Sequence, residues 1–171
     1  LNVKVMQSTD PTDVLKKETS TYDAICLWHS IEHIYNPEKV VKELINLVND
    51  DGFIILSVPN VAYLGVISSL LYNQFNYIDF GILDKTHLKF YTKDSLSSFL
   101  YGLGLCTNEV LYVYKSLDYS EFRNFYLEKF GVDFINTLSE REDLYVYQYV
   151  IRASKKKRPD IILNSIKYEP F

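Results

Sequence analysis

Two short apolar runs with a capped helix between them restrict this chain more than anything else in it. Residues 24–28 (AICLW) and 53–58 (FIILSV) are brief and almost free of polar interruption, the pattern of strands covered on both faces. Between them Asn36-Pro37-Glu38 supplies a helix start: a side-chain acceptor at the N-cap, a proline at the first helical position and an acid in the first turn. Val40, Val41, Leu44, Ile45 and Val48 then recur at helical spacing, and Asp50-Asp51-Gly52 predicts the stop. Strand, helix and strand in that order predict a parallel pair joined by a crossover helix. The class expected is α/β, Rossmann-like, with a mostly parallel doubly wound sheet.

The flanks extend the pattern. Residues 3–7 read as a strand, 12–19 as a short helix and 61–72 as an apolar helix. The stretch 73–89 predicts an irregular excursion over the sheet's edge. Thr92 is an N-cap for a helix over 93–101 closed by Gly102. Residues 107–114 and 144–153 alternate as strands do, and the helical region 119–138 between them breaks near Gly131. Lys155-Lys156-Lys157-Arg158-Pro159 opens a tail, so the division expected is one domain over 1–154 and a basic tail or linker over 155–171. The 171 residues suit a single core. A net charge of −4 gives no reason to expect nucleic acid. No apolar run approaches the ~20 residues of a membrane span. Cys26 and Cys106 sit in apolar stretches and read as buried small hydrophobes of a reduced, cytoplasmic protein. The chain opens at Leu1 already inside a strand-like run, which predicts a fragment of a longer fold.

The chemistry is concentrated behind the first strong strand. His29, Glu32 and His33 follow at i, i+3 and i+4, one face of the chain if it turns helical there. In parallel α/β sheets ligands bind just outside the carboxyl ends of the strands. An imidazole in that position can take a proton near neutral pH. Against this stands the plainer reading that Glu32 and His33 only pair with each other at the turn. The same residues spell H-x-x-E-H, an inverted zinc-peptidase signature. That chemistry needs a long helix, and the new helix start at Asn36-Pro37 argues against it.

Tyr22-Asp23-x-Ile25-x-Leu27-Trp28-His29-x-x-Glu32-His33, the helix that follows, and Val58-Pro59-Asn60 resemble the central and C-terminal part of class I S-adenosylmethionine-dependent methyltransferases. Residues 83–92 (LDKTHLKFYT) are similar to a segment of a subgroup found with sugar- and cell-surface-modifying genes. The resemblance covers roughly 3–115 and, more loosely, 144–153. It implies S-adenosylmethionine as cofactor and methyl transfer to an oxygen or nitrogen of a small-molecule or glycan-like acceptor. It also implies an adjacent or fused glycosyltransferase-type domain. It places Asp10 at the adenine and Leu27, Trp28 and His29 beside the cofactor's methionine portion. It makes His33 the first candidate for the base, His87 the second, and Glu32 their partner. It leaves open a divalent ion on His29, Glu32 and His33, with His87; no metal ligand is assigned. The aromatics Phe75, Tyr77, Phe80 and Tyr91 would face a ring-shaped acceptor. The family's glycine-rich cofactor loop and its ribose-binding acid are not in this sequence; Gly102-x-Gly104 reads as a helix C-cap. The family's strand order 3-2-1-4-5-7-6 without its first two strands leaves 24–28 as a bare edge and isolates 3–7. This chain alone is therefore expected to bind cofactor poorly, fold marginally or re-pair those strands. Two alternatives stand beside this reading: a non-catalytic methyltransferase-like module that docks a partner, and a nicotinamide-dependent reductase fragment.

Overall fold

The structure, a computed structural model, describes residues 3–5, 11–125, 127–157 and 166–167. After a short helix α1 (Pro11–Leu15), strand β1 (Tyr22–Trp28) runs into a 3₁₀ turn, Ile31–His33. Helix α2 (Pro37–Leu47) and strand β2 (Val48–Pro59) complete the crossover unit. Helices α3 (Leu64–Leu71) and α4 (Lys93–Gly102) flank the irregular stretch. Strand β3 (Cys106–Tyr114), helix α5 (Val132–Ser139), strand β4 (Val146–Ser154) and strand β5 (Ile166–Lys167) follow. The sheet order is β1-β2-β4-β3-β5. The β1–β2 pair is parallel, as a crossover connection through a helix requires. Strand β4 enters antiparallel to both β2 and β3, so the sheet is mixed.

Helix α2 begins where the cap chemistry says: the Asn36 side chain accepts from the Lys39 N–H at 3.2 Å. Val40, Val41 and Leu44 bury its inner face. The helix stops earlier than expected. Val48 belongs to β2, pairing with Tyr22 of β1. Asp50-Asp51-Gly52, expected as the helix stop, lies inside the strand. Gly52 passes so close to β1 that a Cβ there would come within 2.8 Å of the Asp23 carbonyl oxygen. Such a contact admits only glycine.

The main core packs Ile54, Leu56 and Val58 of β2 and Ile151 and Ala153 of β4 against α2 and α4. A second cluster, Tyr63, Val66, Ile82, Leu83 and Phe122, ties α3 to the excursion. Helix α4 carries a capping box between Thr92 and Ser95. The left-handed turn that closes it falls on Gly104 (φ 83°), not Gly102. There the Leu105 N–H reaches back to the Leu100 carbonyl at 3.0 Å.

Several expectations are corrected. Residues 24–28 are a strand, but one covered on a single face: Ile25 and Leu27 pack on the core while Ala24, Cys26 and Trp28 are exposed. Its outer edge is open as well, since β2 is the one strand paired with β1 among the described residues. Cys26 is accordingly exposed and Cys106 only half-buried. Residues 3–5 are not in a strand, and Val3 and Val5 are 74% and 86% exposed; the remainder of the expected strand lies outside the described residues. The basic run is tethered at its start. The Lys155 ammonium donates to the Val48 carbonyl at 2.8 Å, and Lys156 pairs with Asp51 at 3.0 Å. Among the described residues no helix is long and apolar enough to cross a membrane.

Candidate active site

Where β1 ends the chain turns sharply. His29 takes a left-handed backbone (φ 44°), a conformation that costs most non-glycine residues and is less unfavourable for histidine. The turn swings the chain into Ile31–His33, where Ile31 is fully buried and anchors the segment in the main core. Glu32 is carried inward with it and is 1% exposed, whereas His33 stays exposed. The excursion is then pinned onto this turn by its backbone. The N–H groups of Leu88 and Lys89 both donate to the Glu32 carbonyl, at 2.8 and 3.1 Å. That pairing delivers His87, 8% exposed, to the same place. The His33 and His87 rings meet edge-on with centroids 4.7 Å apart. One ligand atom from each of Glu32, His33 and His87 lies within 4.8 Å of the other two.

Local hydrogen bonds fix the rings. Asp84 and Thr86 form a small turn in which the Thr86 N–H and hydroxyl both donate to Asp84 Oδ1, at 2.8 and 2.6 Å. The hydroxyl first and the N–H second hold the Asp84 carboxyl below the usual carboxylate range. With its hydrogen committed, Thr86 Oγ1 can only accept. His33 Nδ1 lies 3.1 Å from that oxygen and 3.2 Å from the Thr86 carbonyl. His87 Nδ1 lies 2.9 Å from the Ile82 carbonyl. Every partner of the two Nδ1 atoms is an acceptor, so both carry hydrogen and each neutral ring keeps its lone pair on Nε2. Glu32 Oε1 is 3.3 Å from His29 Nδ1. Its other oxygen, Oε2, is buried without a hydrogen-bond partner. Burial first, and then the charge of Glu32, push the Tyr91 phenol up to about 12.

The site residues named from sequence fall into three groups. Glu32, His33 and His87 are brought together. Leu27, Trp28 and His29 stand at the β1 end, with Leu27 packed partly on the core, Trp28 56% exposed and the His29 ring set edge-on to it. Asp10 lies outside the described residues. Of the aromatics, Phe75 and Tyr77 stack with Phe90 at 5.9 and 6.3 Å, and Phe90 reaches His87 at 6.2 Å. Tyr91 instead turns into the main core beside Phe99. Thr86 and Phe90 escaped notice in the sequence. The Asp84-x-Thr86 spacing of a side-chain-capped turn was the available signal for Thr86, and the ring next to Tyr91 on the opposite face was the signal for Phe90.

A family model described as a methyltransferase domain matches residues 2–108. No curated protein matches the chain in sequence. Among solved structures, a SAM-dependent methyltransferase from Archaeoglobus fulgidus superposes with a TM-score of 0.55 at 18% identity, covering 87% of this chain and 66% of that one. The magnesium protoporphyrin IX methyltransferase of Synechocystis PCC 6803, solved with bound SAH, gives a TM-score of 0.48 at 10% identity, covering 83% of this chain and 48% of that one. The chain thus spans less than two thirds of the length of these solved structures. The α/β arrangement is shared with the archaeal protein, and more than half of the sequence lies inside the family model. The chain belongs to the methyltransferase domain family.

Proposed function

We propose that the intact protein transfers a methyl group from S-adenosylmethionine to an oxygen or nitrogen of a small-molecule or glycan-like acceptor, and that the acceptor meets the protein at Glu32, His33 and His87. The observation that carries this reading is the meeting of those three side chains just beyond the carboxyl end of β1 in a chain of this family. The cofactor, when bound, supplies an electrophilic methyl on a sulfonium. The described residues fit one end of it: Trp28 offers an exposed ring at the strand end, and the turn at His29 leads away from it. Leu27, Trp28 and His29 would border the methionine portion, and Asp10 the adenine.

The protein's own contribution is alignment and proton handling. His33, with Nδ1–H held by Thr86 and Nε2 free, is set to take the acceptor's proton. His87 stands second in that role. The rings of Phe75, Tyr77 and Phe90 extend from His87 as a face for a ring-shaped acceptor. Residues 1–154 form the methyltransferase unit and 155–171 a basic tail or linker toward an adjacent glycosyltransferase-type domain. The cytoplasm suits an exposed free thiol such as Cys26. The test is His33→Ala in the intact protein. Turnover should fall about 10²–10⁴-fold while calorimetric affinity for S-adenosylhomocysteine stays unchanged. Unaltered turnover would remove His33 from the base role.

A further inference from the structure

We infer that Glu121 is the positioning residue for His87 and fixes its ring through the backbone of Ile82. Two hydrogen bonds make the link, one on either side of that residue. The Ile82 N–H donates to Glu121 Oε1 at 2.9 Å, and the Ile82 carbonyl accepts from His87 Nδ1 at 2.9 Å. Glu121 is held in turn from the sheet. The hydroxyl of Tyr147, on β4, reaches Oε1 at 2.9 Å and Oε2 at 3.1 Å. The Lys115 ammonium stands 3.6 Å from Oε2 and 4.3 Å from the centre of the Tyr147 ring. A central strand is thereby connected to an imidazole at the sheet's open margin.

A buried carboxylate is a costly way to fill space. The Glu121 side chain is 3% exposed, and a charge stripped of water is tolerated only with donors around it. Packing is already supplied nearby, where Ile82 and Leu83 are buried in one cluster with Phe122. Apolar contact has no direction, so it holds the excursion down without deciding its register. A charge-assisted hydrogen bond is short and directional, and does decide it. The backbone is shaped around this bond: Gly81 takes φ 85°, and a Cβ there would collide with Glu121 Oε1. The bonds from the Ile78 N–H to the Leu83 carbonyl and from the Lys85 N–H to the Ile78 carbonyl are internal to the stretch and move with it. Past His87 the chain is pinned again, by Leu88 and Lys89 on the Glu32 carbonyl. His87 is thus strung between two anchors, and Glu121 is the one that reaches its ring. The fixing of the ring stands on this geometry. Its bearing on turnover rests on the methyl-transfer reading, in which His87 backs His33 and continues the face of Phe75, Tyr77 and Phe90.

The experiment is nitrogen NMR of the histidine rings in the intact protein, at a pH where imidazole is neutral. The His87 signal is identified by its loss in His87→Ala. In the parent this ring should be a single tautomer with its hydrogen on Nδ1. Glu121→Met fills the same space without an acceptor and should turn the signal into an average of both tautomers. Glu121→Gln, whose amide oxygen still accepts from Ile82, should bring the single tautomer back. A ring unmoved by Glu121→Met would overturn the inference. So would an averaged ring in the parent, a measurement that needs no variant to fold. Turnover gives a second reading. Glu121→Met should lower kcat by up to about 10²-fold with affinity for S-adenosylhomocysteine unchanged, and Glu121→Gln should recover most of that loss. In a His87→Ala background Glu121→Met should cost nothing further, because it acts through that ring; additive losses would make Glu121 a residue of general stability only. A parent that transfers no methyl group, yet whose His87 ring is freed by Glu121→Met, would support this inference and count against the proposed function. Methyl transfer by a parent with an averaged ring would do the reverse.

Discussion

Strands β1 and β2 lie side by side in parallel register, yet they live in different surroundings. Leu27 of β1 pairs with Leu56 of β2. Leu56 is completely buried, between β1 and Ile151 of β4, while Leu27 is only partly covered. One residue earlier Cys26 is exposed. Apolar content is similar in the two runs, so the difference in burial follows from what packs around each strand and not from the side chains. In the closed centre buried Asn60 is satisfied: it donates to the Val146 carbonyl at 2.8 Å and accepts from the Ala62 N–H at 2.9 Å. The open margin carries the unpartnered Glu32 oxygen. Stability is built where the sheet is closed, and reactive groups are held where it is open.

The contrast can be broken at several points. Leu56→Ala, at the closed centre, should cost about 2–5 kcal/mol, the range for a buried leucine whose cavity collapses only in part; chemical denaturation measures it. A loss no greater than that of an exposed substitution would show the centre to be loose. Gly65→Ala should cost about 1–3 kcal/mol by overpacking, because the new methyl would come within 2.5 Å of the Phe122 ring. A milder value would mean that Phe122 moves aside freely.

The closed region should also govern alkaline unfolding. Burial raises Tyr63 to about 12, and Tyr147 is raised too, by burial first and then by Glu121. A folded-state pKa above the unfolded one gives stability that is complete below about pH 10 and lost as pH climbs toward 12. Tyr63→Phe should flatten that decline in pH-dependent melts, and an unchanged slope would assign it elsewhere. Smaller still is the effect at the margin. Glu32→Gln should raise stability by about 1 kcal/mol, since a neutral amide costs less to bury than a carboxylate with one unpartnered oxygen. Destabilisation by that variant would mean the carboxylate is well partnered. Cys26→Ser, on the uncovered face of β1, should stay within about 0.5 kcal/mol of the parent.

Much of this was legible beforehand. Asn36-Pro37-Glu38 marked α2, Thr92 marked α4, and the run 53–58 marked the middle of β2, because caps and apolar periodicity are local signals. The class of fold and the cluster after Trp28 came from the same source. Val48 misled because a buried valine at helical spacing serves equally as the first residue of a strand. Tyr91 misled because neighbouring rings in extended chain point opposite ways, and only packing says which faces the site.

What the sequence determined by itself was the crossover unit, the boundaries of α2, α3 and α4 to within a turn, and the presence of His29, Glu32 and His33 behind a strand. Tertiary structure alone decided that β1 has one bare face, that His87 arrives from more than fifty positions away to join Glu32 and His33, and that His29 turns toward Glu32. Caps and periodicities act over a few residues and are written in order along the chain. Burial and convergence depend on which segments become neighbours in space, and that is set by the pairing of the sheet.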